Sequence, residues 1–212
     1  MNTTELLGVF REEVFDLAAP YLWSNALIYR YIDDAQKQFC RDTYGIADAR
    51  NFLITTVAGT EWYDLDARVL KIRGATEQAT GRDVAMVPAE KTASQYIRFD
   101  GSVGPIKALV TGLEKNVLRA WPKPNQVQTI NLSVFRLPVD VAAGDEFEID
   151  AQHVLPLLLW VKHKAYDVQD TEVFNPQASD KYRAKWDAYC AKALNEQSRA
   201  SHVVGTVVYG GI

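Results

Sequence analysis

The sequence predicts an α+β fold: a helical bundle of N-terminal helices and a C-terminal helical hairpin, an inserted antiparallel β sandwich or barrel-like domain, and an extended C-terminal arm. Three observations predict it. Apolar residues recur at helical spacing near both ends of the chain. Between residues 51 and 138 that spacing gives way to short β-branched and aromatic runs punctuated by Gly, Pro and Asn. The segment from Ala200 to Ile212, ASHVVGTVVYGGI, carries two Val-Val pairs and no charged side chain.

Taken in order, residues 1–50 supply the N-terminal helices. Residues 3–17 place Leu6, Phe10, Val14 and Leu17 on one face, and Pro20 ends that helix. Ser24 then suits an N-cap, and Ile28, Ile32, Ala35 and Phe39 form an apolar stripe. Gly45 suits the C′ position just past that helix. Residues 51–138 form the β insertion. FLITTV and EWYDL flank Ala58-Gly59-Thr60, which suggests a tight hairpin. RVLKIRGAT, DVAMVP, PIKALVTG, NVLRAWP and TINLSVFRLP follow as strands, while Glu90 to Ile97 suits a short helix or a turn equally. Residues 139–150 connect back, with five acidic residues and no basic ones.

Residues 151–199 read as the hairpin. Val154, Leu157, Leu158, Val161, Ala165 and Val168 share one helical face, with Pro156 tolerated only in a first turn. Asn175-Pro176 breaks the pattern, because the residue before proline is pushed out of the α region. Tyr182, Trp186, Tyr189 and Ala193 then face one way on a second helix. Two helices joined by a short turn pack antiparallel and need a partner for their apolar faces. The long helix after Ser24 is the natural one. Residues 200–212 are too short to fold alone, and read either as a strand on the chain's own sheet or as an arm onto a partner.

At 212 residues, with 48% hydrophobic and 24% charged, the chain has enough apolar mass for a core. A net charge of −4 argues against tight sequence-specific DNA binding, which favours basic surfaces. The β insertion is an exception, with eleven basic residues against eight acidic. Cys40 and Cys190 sit in helical patterns and read as buried small apolar residues, although a disulfide is not deducible from sequence. There is no apolar run of about 18 residues for a membrane span, and no basic segment precedes Glu5 as a secretory signal would require.

Chemistry is hard to find. His153 and His163 lie ten residues apart on a helix and point about 80° apart, unlike an i, i+4 metal pair. There is no HExxH, CxxC, GxSxG, Walker A or GxGxxG pattern. Asp33-Asp34 reads as a solvated helix face, with metal ligation as the alternative. Tyr29-Arg30-Tyr31 and Tyr96-Ile97-Arg98 suit stacking on single-stranded nucleic acid, or simply half-exposed aromatics beside basic residues. The residues therefore predict neither an enzyme nor a cofactor. The acidic run (Asp140, Asp145, Glu146, Glu148 and Asp150) reads as a solvated loop favouring the next helix's N-terminus, or as a lip facing a channel or partner.

The order of pieces carries a resemblance. WSNALIYRYIDDAQKQFCRDT, TTVAGTEWYDLDARVLKIRGA, LRAWPKP with INLSVFRLP, and FEIDAQHVLPLLLWVKHKAYDVQDTEVFNPQASDKYRAKW span most of residues 23–187. Together they resemble the head-to-tail adaptor (connector, head-completion) proteins of tailed bacteriophages. The resemblance implies a structural virion protein at the neck or portal vertex, made in the host cytoplasm and without enzymatic activity. It implies a ring of about twelve copies, a closed head-to-tail interface, beneath the portal. Its implied partners are the portal protein, other copies of itself, a downstream tail or nozzle protein, and double-stranded DNA that passes without specific binding; no membrane is involved. The helical part is expected to face the portal and neighbouring copies, and the β insertion to lie peripherally or toward the tail. Val203, Val204, Val207, Val208 and Tyr209 are expected to contact the portal or a neighbouring copy. A tail-tube or tail-terminator component, and a single-stranded nucleic-acid binding module, are the alternatives.

Overall fold

A computed structural model describes residues 1–201 apart from Tyr96 and Thr171. The chain divides into two compact units, Met1–Gly45 with Pro138–Ile212, and Ile46–Leu137.

In the helical unit, α1 (Thr3–Val14) opens on a capping box. The Asn2 side chain accepts the Glu5 amide at 2.9 Å, and the Glu5 carboxylate accepts the Asn2 amide at 2.9 Å. The helix stops three residues earlier than its apolar spacing suggests. Phe15 turns into the left-handed region (φ 57°) and its amide closes back onto the carbonyls of Arg11 and Glu12. Leu17, expected on the buried face, is exposed as a result. In α2 (Asn25–Asp42), Ser24 caps the start and Ile28, Ile32, Ala35 and Phe39 are buried, as the stripe requires. Thr43 ends it by returning both its amide and its hydroxyl to the Phe39 carbonyl. Gly45 (φ 76°) serves the turn beyond rather than the C′ position.

The expected first helix of the hairpin is two pieces, α3 (Ala151–Val154) and α4 (Leu157–Tyr166). Pro156 stands between them at the α4 N-cap position, where its missing N–H costs no helical bond. Val154, Leu157, Leu158, Val161 and Ala165 are buried as expected; Val168 falls past the helix end and is half-buried. The last helix, α5 (Pro176–Ser201), runs antiparallel to α4, since Tyr166 stacks on Tyr182, Trp160 meets Trp186 and His153 meets Tyr189. Three buried indoles pin the bundle. The Trp23 N–H donates to the Ala165 carbonyl at 2.9 Å, Trp160 to Asp34 at 2.8 Å and Trp186 to Asp42 at 2.8 Å. Buried indole N–H groups demand such acceptors, and α2 supplies two of the three.

The β unit is one curled, mixed sheet. Its strands are β1 (Ile46–Thr55), β2 (Trp62–Asp64), β3 (Val69–Glu77), β4 (Asp83–Pro88), β6 (Ala108–Thr111), β7 (Val117–Trp121) and β9 (Thr129–Arg136), in the order β1-β9-β3-β4-β6-β7-β2. A two-residue parallel pair, β5 (Val103–Gly104) with β8 (Lys123–Pro124), stands apart. Phe52 and Ile54 from one edge strand and Tyr63 from the other enter the same core as Leu109, Leu118 and Ile130, so the sheet curls on itself as a half-barrel.

Two sequence expectations change here. The sheet is not wholly antiparallel: β4 and β6 pair in parallel, because a crossover through the 3-10 turn Ala89–Lys91 returns the chain to run in the same direction. Ile97, on that crossover, covers Val87, Ala108 and Val110 on the outer face. Nor do β1 and β2 form a hairpin, since they occupy opposite edges. Gly59 (φ 84°) turns the chain away, with its amide on the Pro124 carbonyl at 2.8 Å. The first strand also begins earlier than its apolar run. Asp48 gathers the amides of Arg50 and Asn51 (3.1 Å each) into a bulge, which carries the polar ADARN stretch along the edge.

Candidate docking surface

The loop from Phe15 to Leu22, between α1 and α2, is apolar and turned outward. Phe15 is 87% exposed, Leu17 64%, Leu22 51% and Tyr21 43%, with Ala18, Ala19 and Pro20 also exposed between them. Exposed apolar side chains grouped in this way make the loop a candidate interaction site. Its conformation is held from beneath. Arg11, buried on the last turn of α1, ion-pairs with buried Asp16. The same guanidinium donates to the Trp23 carbonyl at 2.7 Å and to the Asn25 side-chain oxygen at 2.6 Å, and lies 3.7 Å from the centre of the Tyr21 ring. The second oxygen of Asp16 accepts the Leu22 amide at 3.1 Å. One charge pair thus ties both ends of the loop together while the apolar side chains between them face solvent. A bulky residue in the left-handed region is costly, and Phe15 spends that cost on exposure rather than burial. The sequence pattern counts Phe15 and Leu17 as helix residues, so it overlooks this surface. The available signal is that Asp16 lies among apolar residues five positions after Arg11.

The acidic connector is an ordered strap more than a solvated loop. All five side chains are exposed, yet most are engaged. Asp140 pairs with Lys37 at 2.6 Å, which holds its carboxyl below the usual range. Asp145 accepts the Ala142 amide at 2.7 Å, and its own carbonyl accepts the Thr3 amide at 3.0 Å. Glu148 accepts the Val139 amide at 2.7 Å, Glu146 forms a β-bridge with Asn2, and Asp150 stands at the α3 N-cap position without a side-chain cap bond. Val203, Val204, Val207, Val208 and Tyr209 lie outside the described residues.

Asp33 and Asp34 form neither a solvated face nor a metal site. Asp33 accepts from Lys37, Gln36 and the Val141 amide, while Asp34 accepts the Trp160 indole. His153 bonds the Tyr189 hydroxyl at 2.7 Å, and burial lowers its pKa. His163 bonds the Ser179 hydroxyl at 2.8 Å. Cys40 and Cys190 are buried thiols, and burial pushes Cys190 up to about 12. Tyr29 meets the Thr4 hydroxyl at 3.2 Å and Tyr31 is partly buried, so neither ring stands clear as a stacking platform. Among the described residues no group of three or more His, Cys, Asp or Glu is arranged to hold a metal ion, and no helix is long and apolar enough to cross a membrane.

An α+β chain that presents an apolar loop braced by a buried ion pair fits an assembly component. The family model described as SU10 adaptor protein matches residues 1–208. The chain belongs to the SU10 adaptor protein family, which bears out its resemblance to head-to-tail adaptors of tailed bacteriophages. Membership makes it a structural component of a phage virion that interacts with other virion proteins, and implies a non-enzymatic role. A search of the curated proteins finds no match.

Proposed function

We propose that the protein is the head-to-tail adaptor of its virion. A ring of about twelve copies, closed by one repeated head-to-tail interface, sits beneath the portal, extends the DNA channel and docks the next tail or nozzle component. The observation that carries this reading is the family match over nearly the whole chain. Three features support it. The loop Phe15–Leu22 offers an apolar surface already fixed in shape, which lowers the entropy cost of docking. The uncharged segment 202–212, with Val203, Val204, Val207, Val208 and Tyr209, serves as an arm onto the portal or a neighbouring copy. The acidic residues Asp140, Asp145, Glu146, Glu148 and Asp150 form a lip facing the channel or a partner; like charge there lets duplex DNA pass without being gripped.

The test mixes the purified full chain with the portal ring encoded in the same genome, images the product and counts subunits. A ring stacked on the portal is expected. A bare portal, with binding to tail tube instead, overturns the reading in favour of a tail component. Removing residues 201–212 is expected to leave a folded monomer, checked by circular dichroism, that no longer joins the portal. Full assembly of the truncated chain refutes the arm.

A further inference from the structure

We propose that the apolar loop Phe15–Leu22 of one copy is the receptor for segment 202–212 of the next copy in the ring. The inference rests on the adaptor reading above and adds the contact that closes the ring.

The two surfaces lie at opposite ends of the helical unit. The last turn of α5 meets the C-terminal end of α2, where the Tyr44 hydroxyl lies 3.2 Å from that of Ser198 and the Tyr44 amide reaches Gln197 at 3.4 Å. The loop lies at the other end of α2. There Trp23 packs edge-on against Tyr166 at 5.6 Å, and Tyr166 stacks on Tyr182 near the start of α5. The 18 residues of α2 separate the two ends by about 27 Å. Helix α5 runs away from the loop and ends at Ser201, where segment 202–212 follows in sequence. Fully extended, its eleven residues span at most roughly 36–40 Å. To reach its own loop the segment would have to double back along α2 and use most of that length. A neighbouring copy presents the same loop without any reversal. This is the arrangement a closed heterologous ring requires, with two different surfaces at two ends of one subunit.

The chemistry matches as well. The segment offers four valines and a tyrosine and no Lys, Arg, Asp or Glu side chain; the loop offers Phe15, Leu17, Tyr21 and Leu22, while the charges beneath it are held in the Arg11–Asp16 pair. Burial of apolar side chains on both sides drives the contact.

The experiment places a photo-cross-linker on the loop of the full chain, Phe15→p-benzoyl-phenylalanine, with Leu17→p-benzoyl-phenylalanine as a second probe. Equal amounts of heavy-isotope and light protein are mixed, assembled on the portal ring, irradiated and digested with trypsin. The expected product joins the loop peptide to the fragment that begins at Ala200, with about half of the pairs combining heavy and light chains, as a contact between copies requires. Pairs of one label only would show that the segment folds onto its own chain and would overturn the inference. Cross-links from both probes to the portal, or elsewhere on the chain, would overturn it too while leaving the adaptor reading intact. If the unmodified chain leaves the portal bare, the adaptor reading itself fails.

Discussion

Arg11→Met removes the charge beneath the docking loop and keeps most of the side chain's apolar stem in place. The structure sets the size of the effect. Asp16 is 5% exposed and keeps only the Leu22 amide among the contacts described above, while the Trp23 carbonyl and the Asn25 side chain each lose a donor. Breaking a buried ion pair from one side costs about 3–5 kcal/mol, because the remaining carboxylate is stranded away from water. For a unit of this size that lowers the melting midpoint by roughly 10–20 °C. The assay is urea and thermal unfolding followed at 222 nm, where the helical unit dominates and its transition can be told from that of the β unit. Asp16→Leu in the Arg11→Met background should recover much of the loss, with a coupling of about 2 kcal/mol or more. A single-variant loss below about 1 kcal/mol, or additive single and double variants, would refute the claim that this pair holds the loop.

Trp186→Ala should cost the helical unit about 3–5 kcal/mol for the cavity. Trp186→Phe should cost about 1–3 kcal/mol, because Asp42 loses the indole donor; a loss below about 0.5 kcal/mol in urea titration would show that the hydrogen bond contributes nothing. In the β unit, the Asn51 side-chain amide, helped by the Arg50 and Asn51 backbone amides and by Arg136, holds the Asp48 carboxyl far below its ordinary range. Its contribution is therefore complete above about pH 3.9 and lost as pH falls toward the folded value. Acid titration of β-unit stability should show that loss, and Asp48→Asn should flatten it. Burial depresses His153 below its ordinary value of about 6.5, so the unfolded state binds the proton first. Stability of the helical unit should be complete above that pH and fall as pH drops through the folded value. A urea midpoint that stays flat from pH 7 to 5, or a slope that survives in His153→Asn, would contradict this.

The apolar stripes of α2, α4 and α5 were legible because each repeats every three or four residues, and burial follows from that repeat alone. Ile28, Ile32 and Phe39, and Leu157, Val161 and Ala165, are buried as the spacing requires. The β runs were legible from their β-branched and aromatic content between Gly, Pro and Asn, and NVLRAWP and TINLSVFRLP contain the strands Val117–Trp121 and Thr129–Arg136. The connector, Asp33 and Asp34 were not. Their roles depend on groups about a hundred or more positions away in sequence: Asp33 on the Val141 amide, Asp34 on the Trp160 indole, and Thr3 on the carbonyl of Ala142.

What the sequence determined by itself is where the main helices and the longer strands lie, and where the C-terminal segment without charged side chains begins. These follow from local periodicity and from the side chains' own chemistry. Only the tertiary structure decided which strands meet, that β4 and β6 run in parallel, and that α1 stops at Val14 so that Phe15 and Leu17 face outward. Strand order depends on contacts that no local window contains. The end of α1 depends on one buried guanidinium that draws Asp16, Trp23 and Asn25 to it, and a hydrophobic repeat carries no record of where a buried charge will find its partner.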